Sequence, residues 1–221
     1  MTRHLERPFC ILCLLVCAAP APAQDPAPPN RTYGFAVGAF ASTFIGGNSA
    51  STDPSLPRTE YSDTFGTGAG LRLEAFRNFS SEARGQIGLV YTKWPGQSFA
   101  GGAFPAGATY GDFSLLGPYL GGRATFGSWS EYVPYVVINL GAVYLSSMNV
   151  QSGGVTMPYW TGRWREYAEV GIGIARKTGS GTLTFDVRLQ DFGKPSSNNP
   201  SITGSSTGIS LLLGVGYEWE H

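Results

Sequence analysis

Residues 208–221 read GISLLLGVGYEWEH, and this stretch decides the fold. In an extended chain, successive side chains point to opposite faces. Ile209, Leu211, Leu213, Val215, Tyr217 and Trp219 then share one face, and Ser210, Leu212, Gly214, Gly216, Glu218 and Glu220 share the other. The first face is apolar and ends in two aromatics; the second is mostly small or charged. Such a strand fits a sheet whose outer face meets an apolar medium and whose last strand closes onto its first.

The opposite terminus reads as an export segment. Arg3 and Arg7 give a basic start, Phe9 to Ala19 is a short apolar run, and Ala21-Pro22-Ala23 is an A-x-A cleavage site. The run is well short of the roughly 20 apolar residues that a membrane helix needs. Residues 1–23 are therefore expected to be a cleaved signal peptide, residues 24–31 a Pro-rich leader opening QDPAPPN, and residues 32–221 a single domain. Cys10, Cys13 and Cys17 all fall in the signal, which leaves the mature chain no disulfide and no thiolate chemistry.

Fifteen basic and fifteen acidic residues balance, so nothing points to nucleic acid. Glycine is 31 of 221 residues, about twice the usual share, with no collagen period. No apolar run after the signal is long enough for a membrane helix. If this chain sits in a membrane it spans as a closed sheet, because only helices and barrels satisfy every backbone group in lipid.

Alternation predicts eight strands: about Thr32–Phe44, Thr64–Phe76, Glu82–Thr92, Asp112–Phe126, Tyr132–Ser146, Arg163–Ala175, Thr182–Gln190 and the terminal stretch. The seventh is the cleanest, with Leu183, Phe185, Val187 and Leu189 against Thr184, Asp186, Arg188 and Gln190, the last placed at the lumen rim. In the second, Phe65, Ala69, Leu71, Leu73 and Ala75 are assigned outward; in the fourth, the least regular, Phe113, Leu115 and Tyr119 share the apolar face and Pro118 interrupts the ladder. Connections alternate long and short. The long ones, about 45–63, 93–111, 147–162 and 191–207, are rich in Gly, Ser, Pro and Asn and read as solvated loops.

Alternation alone does not say which face is inside; a soluble lipocalin-like binder also alternates, with its apolar face inward. Three features favour apolar-out. Aromatics gather near strand ends, glycine fills the polar face, and opposite charges recur there, as Arg72 with Glu74 and Arg188 with Asp186. Lysine, common on soluble surfaces, occurs only at positions 93, 177 and 194. The glycines of Gly34-x-x-x-Gly38 and Gly66-x-Gly68-x-Gly70 are read as small inner-wall residues rather than as ligand motifs.

On these patterns the chain from Thr32 onward resembles the small eight-stranded bacterial outer-membrane barrels of the OmpA and OmpX type. Its last strand is similar to their C-terminal assembly signal in the form Gly214-x-x-Tyr217-x-Trp219, followed here by Glu220-His221. The resemblance implies an all-β fold, an eight-stranded antiparallel up-and-down transmembrane β-barrel. It also implies a location in the bacterial outer membrane, with outer-membrane lipids and the barrel assembly machinery as partners.

Some barrels of this outline act on lipids and use a histidine base beside a serine. The histidines here are His4, in the signal, and His221, at the far end of the last strand from the serine-rich loops. No catalytic residue, metal site or cofactor is expected. The inner face does carry ions that need partners, because an unpaired buried charge costs several kcal/mol. The expected lumen network comprises Arg72, Glu74, Glu82, Arg84, Asp112, Arg123, Arg165, Glu169, Asp186, Arg188 and Glu218. These residues make either a salt-bridged plug or a narrow ion path gated by the pairs. The leading expectation is a non-enzymatic barrel that displays four loops for envelope structure or surface binding. The alternatives are a narrow channel or apolar-solute conduit, a lipid-modifying enzyme and a soluble binder.

Overall fold

The computed structural model describes residues 32–127 and 131–221. The expected signal peptide, its cleavage site and the expected leader, residues 1–31, lie outside the described residues. Along the chain run β1 (Tyr33–Gly46), β2 (Asn48–Ser51), β3 (Thr59–Glu60), the short helix α1 (Tyr61–Thr64), β4 (Gly68–Asn78), β5 (Ala83–Trp94), β6 (Ser98–Gly101) and β7 (Phe104–Tyr110). They continue as β8 (Phe113–Thr125), β9 (Tyr132–Leu145), β10 (Met148–Ser152), β11 (Val155–Trp160), β12 (Arg163–Thr178), β13 (Gly181–Phe192), β14 (Ile202–Ser205) and β15 (Gly208–Glu220).

Eight of these strands close into an antiparallel barrel in the order β1-β15-β13-β12-β9-β8-β5-β4. The terminal strand meets the first directly, with Trp219 opposite Phe35 and Val215 opposite Ala39. The His221 N–H donates to the Tyr33 carbonyl at 2.8 Å, so the start of β1 and the end of β15 lie together at the short-turn end.

The outer wall is apolar. Leu120, Ile172 and Ile87 are 66%, 65% and 61% exposed, and Leu71, Leu73, Leu140 and Leu213 are exposed beside them. Among the described residues nothing covers this belt, and an apolar band this continuous belongs in lipid. Tyr33, Phe35, Phe126 and Trp219 edge it at the short-turn end. Tyr91, Tyr144 and Trp164 edge it at the long-loop end.

Two expected face assignments are corrected. In β8, Phe113 and Leu115 are fully buried and Tyr119 nearly so, while Leu116 and Leu120 face out. An apolar side chain is no marker of the lipid face where the lumen itself is apolar. Phe65 lies beyond the end of α1, before β4 begins, and packs inward at 3% exposure. Pro118 does break the pairing: the β8–β9 register passes from Leu116 opposite Tyr144 to Tyr119 opposite Gly141.

The upper half of the lumen is a packed apolar core. Phe40, Val90, Trp94, Phe113, Leu115, Val143, Leu145, Phe192 and Leu212 fill it, and Tyr61, Phe65 and Trp160 cap it from the loops. Trp94 stacks on Phe113 with centroids 5.6 Å apart and planes at 17°, and Trp160 meets Phe113 edge-on at 4.8 Å. Edge-to-face and offset pairs add to the area such rings bury.

The long connections are folded, not irregular. β6, β7, β10 and β11 form one four-stranded sheet; β2, β3 and β14 form a three-stranded one. The β10–β11 hairpin turns on Gly153 and Gly154, at φ 56° and 78°, the left-handed pair that a tight two-residue hairpin requires. The inner face of the larger sheet, with Phe104, Tyr110, Met148, Val150 and Tyr159, joins the lumen core. Burial there pushes the Tyr159 hydroxyl up to about 12, which keeps it neutral. Barrel and loops therefore share one hydrophobic core.

Candidate functional site: the lumen charge layer

Below the aromatic core, the inward positions of six barrel strands converge on a layer of ions. β4 supplies Arg72 and Glu74, β5 supplies Arg84, β8 Arg123, β12 Glu169, β13 Asp186 and Arg188, and β15 Glu218. All but Arg84 are at most 8% exposed as whole residues, and the Arg84 side chain is 8% exposed. β9 contributes Asn139 and Tyr135 between them.

Glu169 is the hub. Its Oε2 accepts from Arg72 Nη2 at 2.6 Å and from the Tyr167 hydroxyl at 2.8 Å. Its Oε1 accepts from Arg188 Nη1 and from Asn139 Nδ2, each at 2.8 Å. Arg188 turns its other terminal nitrogen to Asp186 Oδ2 at 2.7 Å, where the Tyr135 hydroxyl also donates at 3.0 Å. Glu74 accepts from the Tyr119 hydroxyl at 2.6 Å and lies 3.8 Å from Arg72 Nε. Gln86 bridges Asn139 at 2.9 Å and Glu74 at 3.4 Å.

A second cluster sits nearer the short turns. Arg84 grips Glu218 with two parallel bonds of 2.9 Å, and Arg123 Nη1 adds a third at 2.6 Å. This fork geometry is the strong form of an arginine–carboxylate pair. The guanidinium of Arg123 also lies 3.7 Å from the Tyr135 ring centroid, and that of Arg84 lies 4.3 Å from the Phe76 centroid. Arg72, Arg84, Arg123 and Arg188 are thus matched by Glu74, Glu169, Asp186 and Glu218, four cations by four anions. The layer carries no net charge.

Glycines on the inner wall make room for these groups. A Cβ at Gly171 would come within 2.5 Å of Arg188 Cγ, and one at Gly88 within 2.6 Å of the Tyr119 ring. A cavity of about 20 Å³ is left beside Gly38, Gly214 and Gly216, facing Asp186 and Arg188. It has the size of a single water.

Three expected members lie elsewhere. Glu82 is exposed in the turn before β5; it has lumen parity but sits past the barrel's end. Asp112 is on the outer rim, bonded to Lys93 Nζ at 2.7 Å, with both side chains more than half exposed. With Phe113 pointing inward, its neighbour Asp112 has outward parity. That bond, reinforced by the Gly96 N–H, holds the Asp112 carboxyl below its usual range. Arg165 stays at the long-loop end, where Nε donates to the Lys194 carbonyl at 2.6 Å and Nη2 donates to Ser196. Gln190, expected at the rim, is fully buried and accepts from Ser210 at 3.0 Å. Gly214 lines the lumen, whereas Trp219 is exposed on the outer wall, its ring 4.8 Å from that of Tyr217. Tyr119, expected outward, faces in, and Tyr135 and Tyr167, at inward parity, join the layer as donors that the expected charge network did not include.

A closed eight-stranded barrel, an apolar belt edged by aromatics and an ion-paired lumen together define an outer-membrane β-barrel protein. No family model matches the chain, and no curated protein matches its sequence. Solved structures do match in fold. The outer membrane protein AlkL, determined in lipid bilayers, is 16% identical, with 92% of this chain and 96% of that chain covered and a TM-score of 0.54. OprG from Pseudomonas aeruginosa is 14% identical, with 86% and 96% covered and a TM-score of 0.52. At such identities the likeness establishes the fold, and a barrel fold hosts many activities.

Proposed function

We propose that this protein is a non-enzymatic outer-membrane barrel whose work is done by its long-loop surface. The observation that supports this most is the double closure of the lumen, by the charge-neutral ion layer and by the aromatic core above it. An interior filled in this way is what eight strands leave when side chains occupy it. It favours the plug over the gated ion path. The loops, sharing the barrel's core, form a fixed platform rather than four free tethers. His221 lies at the opposite end from the loop serines, which speaks against a serine–histidine pair there. The terminal strand, with Tyr217 and Trp219 outward, is the segment offered to the barrel assembly machinery.

Planar-bilayer recording of the refolded protein, paired with adhesion assays on cells with and without it, tests the reading. We expect no resolvable conductance and a loss of surface attachment in the deletion strain. Steady unitary currents in the unmodified protein would overturn it in favour of a channel.

A further inference from the structure

The sheet formed by β6, β7, β10 and β11 has an outer face that the lumen and its core do not use. Residues 95–111 and 146–162, which build it, contain no Asp, Glu, Lys, Arg or His. The neighbouring first loop, by contrast, carries Asp53, Arg58, Glu60 and Asp63. The charge-free character belongs to this sheet and is not general to the loops.

On that face the register aligns one hydrogen-bonding side chain from every strand. Ser98 is opposite Thr109, Thr109 is opposite Gln151, and Gln151 is opposite Thr156. All four residues are exposed. Three inter-strand steps of about 4.8 Å make the row about 14 Å long. Ser98 and Thr109 already share a hydrogen bond of 3.0 Å, which fixes their hydroxyls relative to each other. Beside the row, Ala100, Gly107, Gly153 and Gly154 leave the backbone bare. The result is an open groove of about 460 Å³, with Phe99 also in its lining.

Both edges of the sheet are closed to an added strand. β6 has only four residues, and short edges resist pairing. β11 contains Pro158, whose carbonyl accepts from Asn199 Nδ2 at 2.6 Å, and Thr161 bridges Ser196, so the fourth loop lies along that edge. The free surface is the face. It offers hydroxyls, an amide and exposed backbone, and no ion.

We propose that this groove binds an uncharged glycan, taking its hydroxyls on Ser98, Thr109 and Gln151, with Thr156 continuing the row past the groove. A polyanion gains nothing from a face without a cation, and an extended peptide finds no open edge. A neutral saccharide needs what is present, donors and acceptors in a row above a shallow floor. The inference rests on the surface-display reading and names the ligand class for it.

The test is an array of immobilised neutral, sialylated and sulfated oligosaccharides, probed with the full mature chain refolded in detergent. We expect retention confined to neutral members and unchanged at about 0.5 M salt, where ionic contacts are screened. Thr109→Val keeps a β-branched side chain and removes one hydroxyl; Gln151→Ala removes the amide. Each is expected to weaken binding about threefold to tenfold, the worth of one neutral hydrogen bond. Heat-modifiable gel mobility shows that both variants keep the barrel. An array blank for every neutral member overturns the proposal. So does retention only of sulfated members, capture of a Ser/Thr-rich peptide in place of any saccharide, or full retention by both variants. A blank array together with a non-conducting barrel removes the glycan groove and leaves the display reading intact. A conducting barrel removes the display reading, and the array still decides the groove.

Discussion

Arg188 reaches Glu169 at 2.8 Å by crossing above a residue that has no side chain. In the β12–β13 ladder Arg188 stands opposite Gly171 and Glu169 opposite Gln190, so the ion pair runs diagonally over the glycine. Gly171→Ala would force the Arg188 stem aside and lengthen both its bonds, to Glu169 and to Asp186. Urea unfolding from lipid vesicles is expected to show a loss of about 1–3 kcal/mol, typical of overpacking. An unchanged midpoint would mean that Arg188 is not held where it lies.

Glu169 accepts from two arginines, a tyrosine and an asparagine, so its removal strands the most partners. Glu169→Ala is expected to cost about 3–5 kcal/mol, the penalty for leaving buried cations unpaired. Asp53→Ala, whose carboxylate only caps Ser55 in an exposed loop, is the comparison and is expected to be near neutral. Equal losses would show that the lumen ions act independently in a wet interior.

The inside–outside assignment is tested on neighbouring positions of β13. Val187 is 43% exposed on the lipid wall. Val187→Arg is expected to cost about 2–4 kcal/mol near the bilayer midplane, and Val187→Leu almost nothing. Gln190→Arg would place an ion in the sealed upper lumen below Phe192, and is expected to block assembly on a heat-modifiability gel. Normal assembly of Gln190→Arg would show that this part of the lumen holds water.

What could be read from the sequence, and what could not, follows from what parity encodes. Strand β13 was legible because every second residue is apolar and its partners are Thr, Asp, Arg and Gln. Strand β8 was not, because Phe113 and Leu115 are apolar and point inward. Parity gives a face but no depth. Arg165 and Asp186 both have inward parity, yet one serves the loop rim and the other the ion layer. The loop strands escaped for a different reason. Their Gly, Ser and Pro content reads as irregular, although Gly153-Gly154 between VQS and VTM is a hairpin signal. The tyrosines of the ion layer are hard to read from sequence because the ring is apolar while the hydroxyl is a donor, here to a buried carboxylate.

The Lys93–Asp112 clasp joins the ends of β5 and β8 in solvent, and it gives a small pH dependence of known sign. Its carboxyl is held below the unfolded value of about 3.9, so its contribution is complete above that value. It is lost as pH falls through the lower folded value, where the carboxyl protonates. Both side chains are more than half exposed, which limits the effect to less than about 1 kcal/mol. Wild type and Asp112→Asn are expected to differ slightly at neutral pH and to converge in acid. A gap that persists or widens in acid would show that the carboxylate is not what stabilises this corner.

The two closures of the lumen are predicted to be separable. Trp94 is fully buried, stacked on Phe113, and donates from Nε1 to Ser42 at 3.1 Å. Trp94→Ala is expected to cost about 3–5 kcal/mol, through lost contacts and the cavity left behind. It is not expected to conduct, because the ion layer beneath stays closed. Glu169→Ala alone leaves the aromatic core above it and is also expected to stay silent. Only when both are changed does a continuous path open, lined by Arg72 and Arg188 without their shared acid. The double variant is then expected to pass small currents that favour anions. Bilayer recordings of the two single variants and the double variant give the answer. Conductance in Glu169→Ala alone would mean that the aromatic core does not seal, and conductance in Trp94→Ala alone would mean that the ion layer does not.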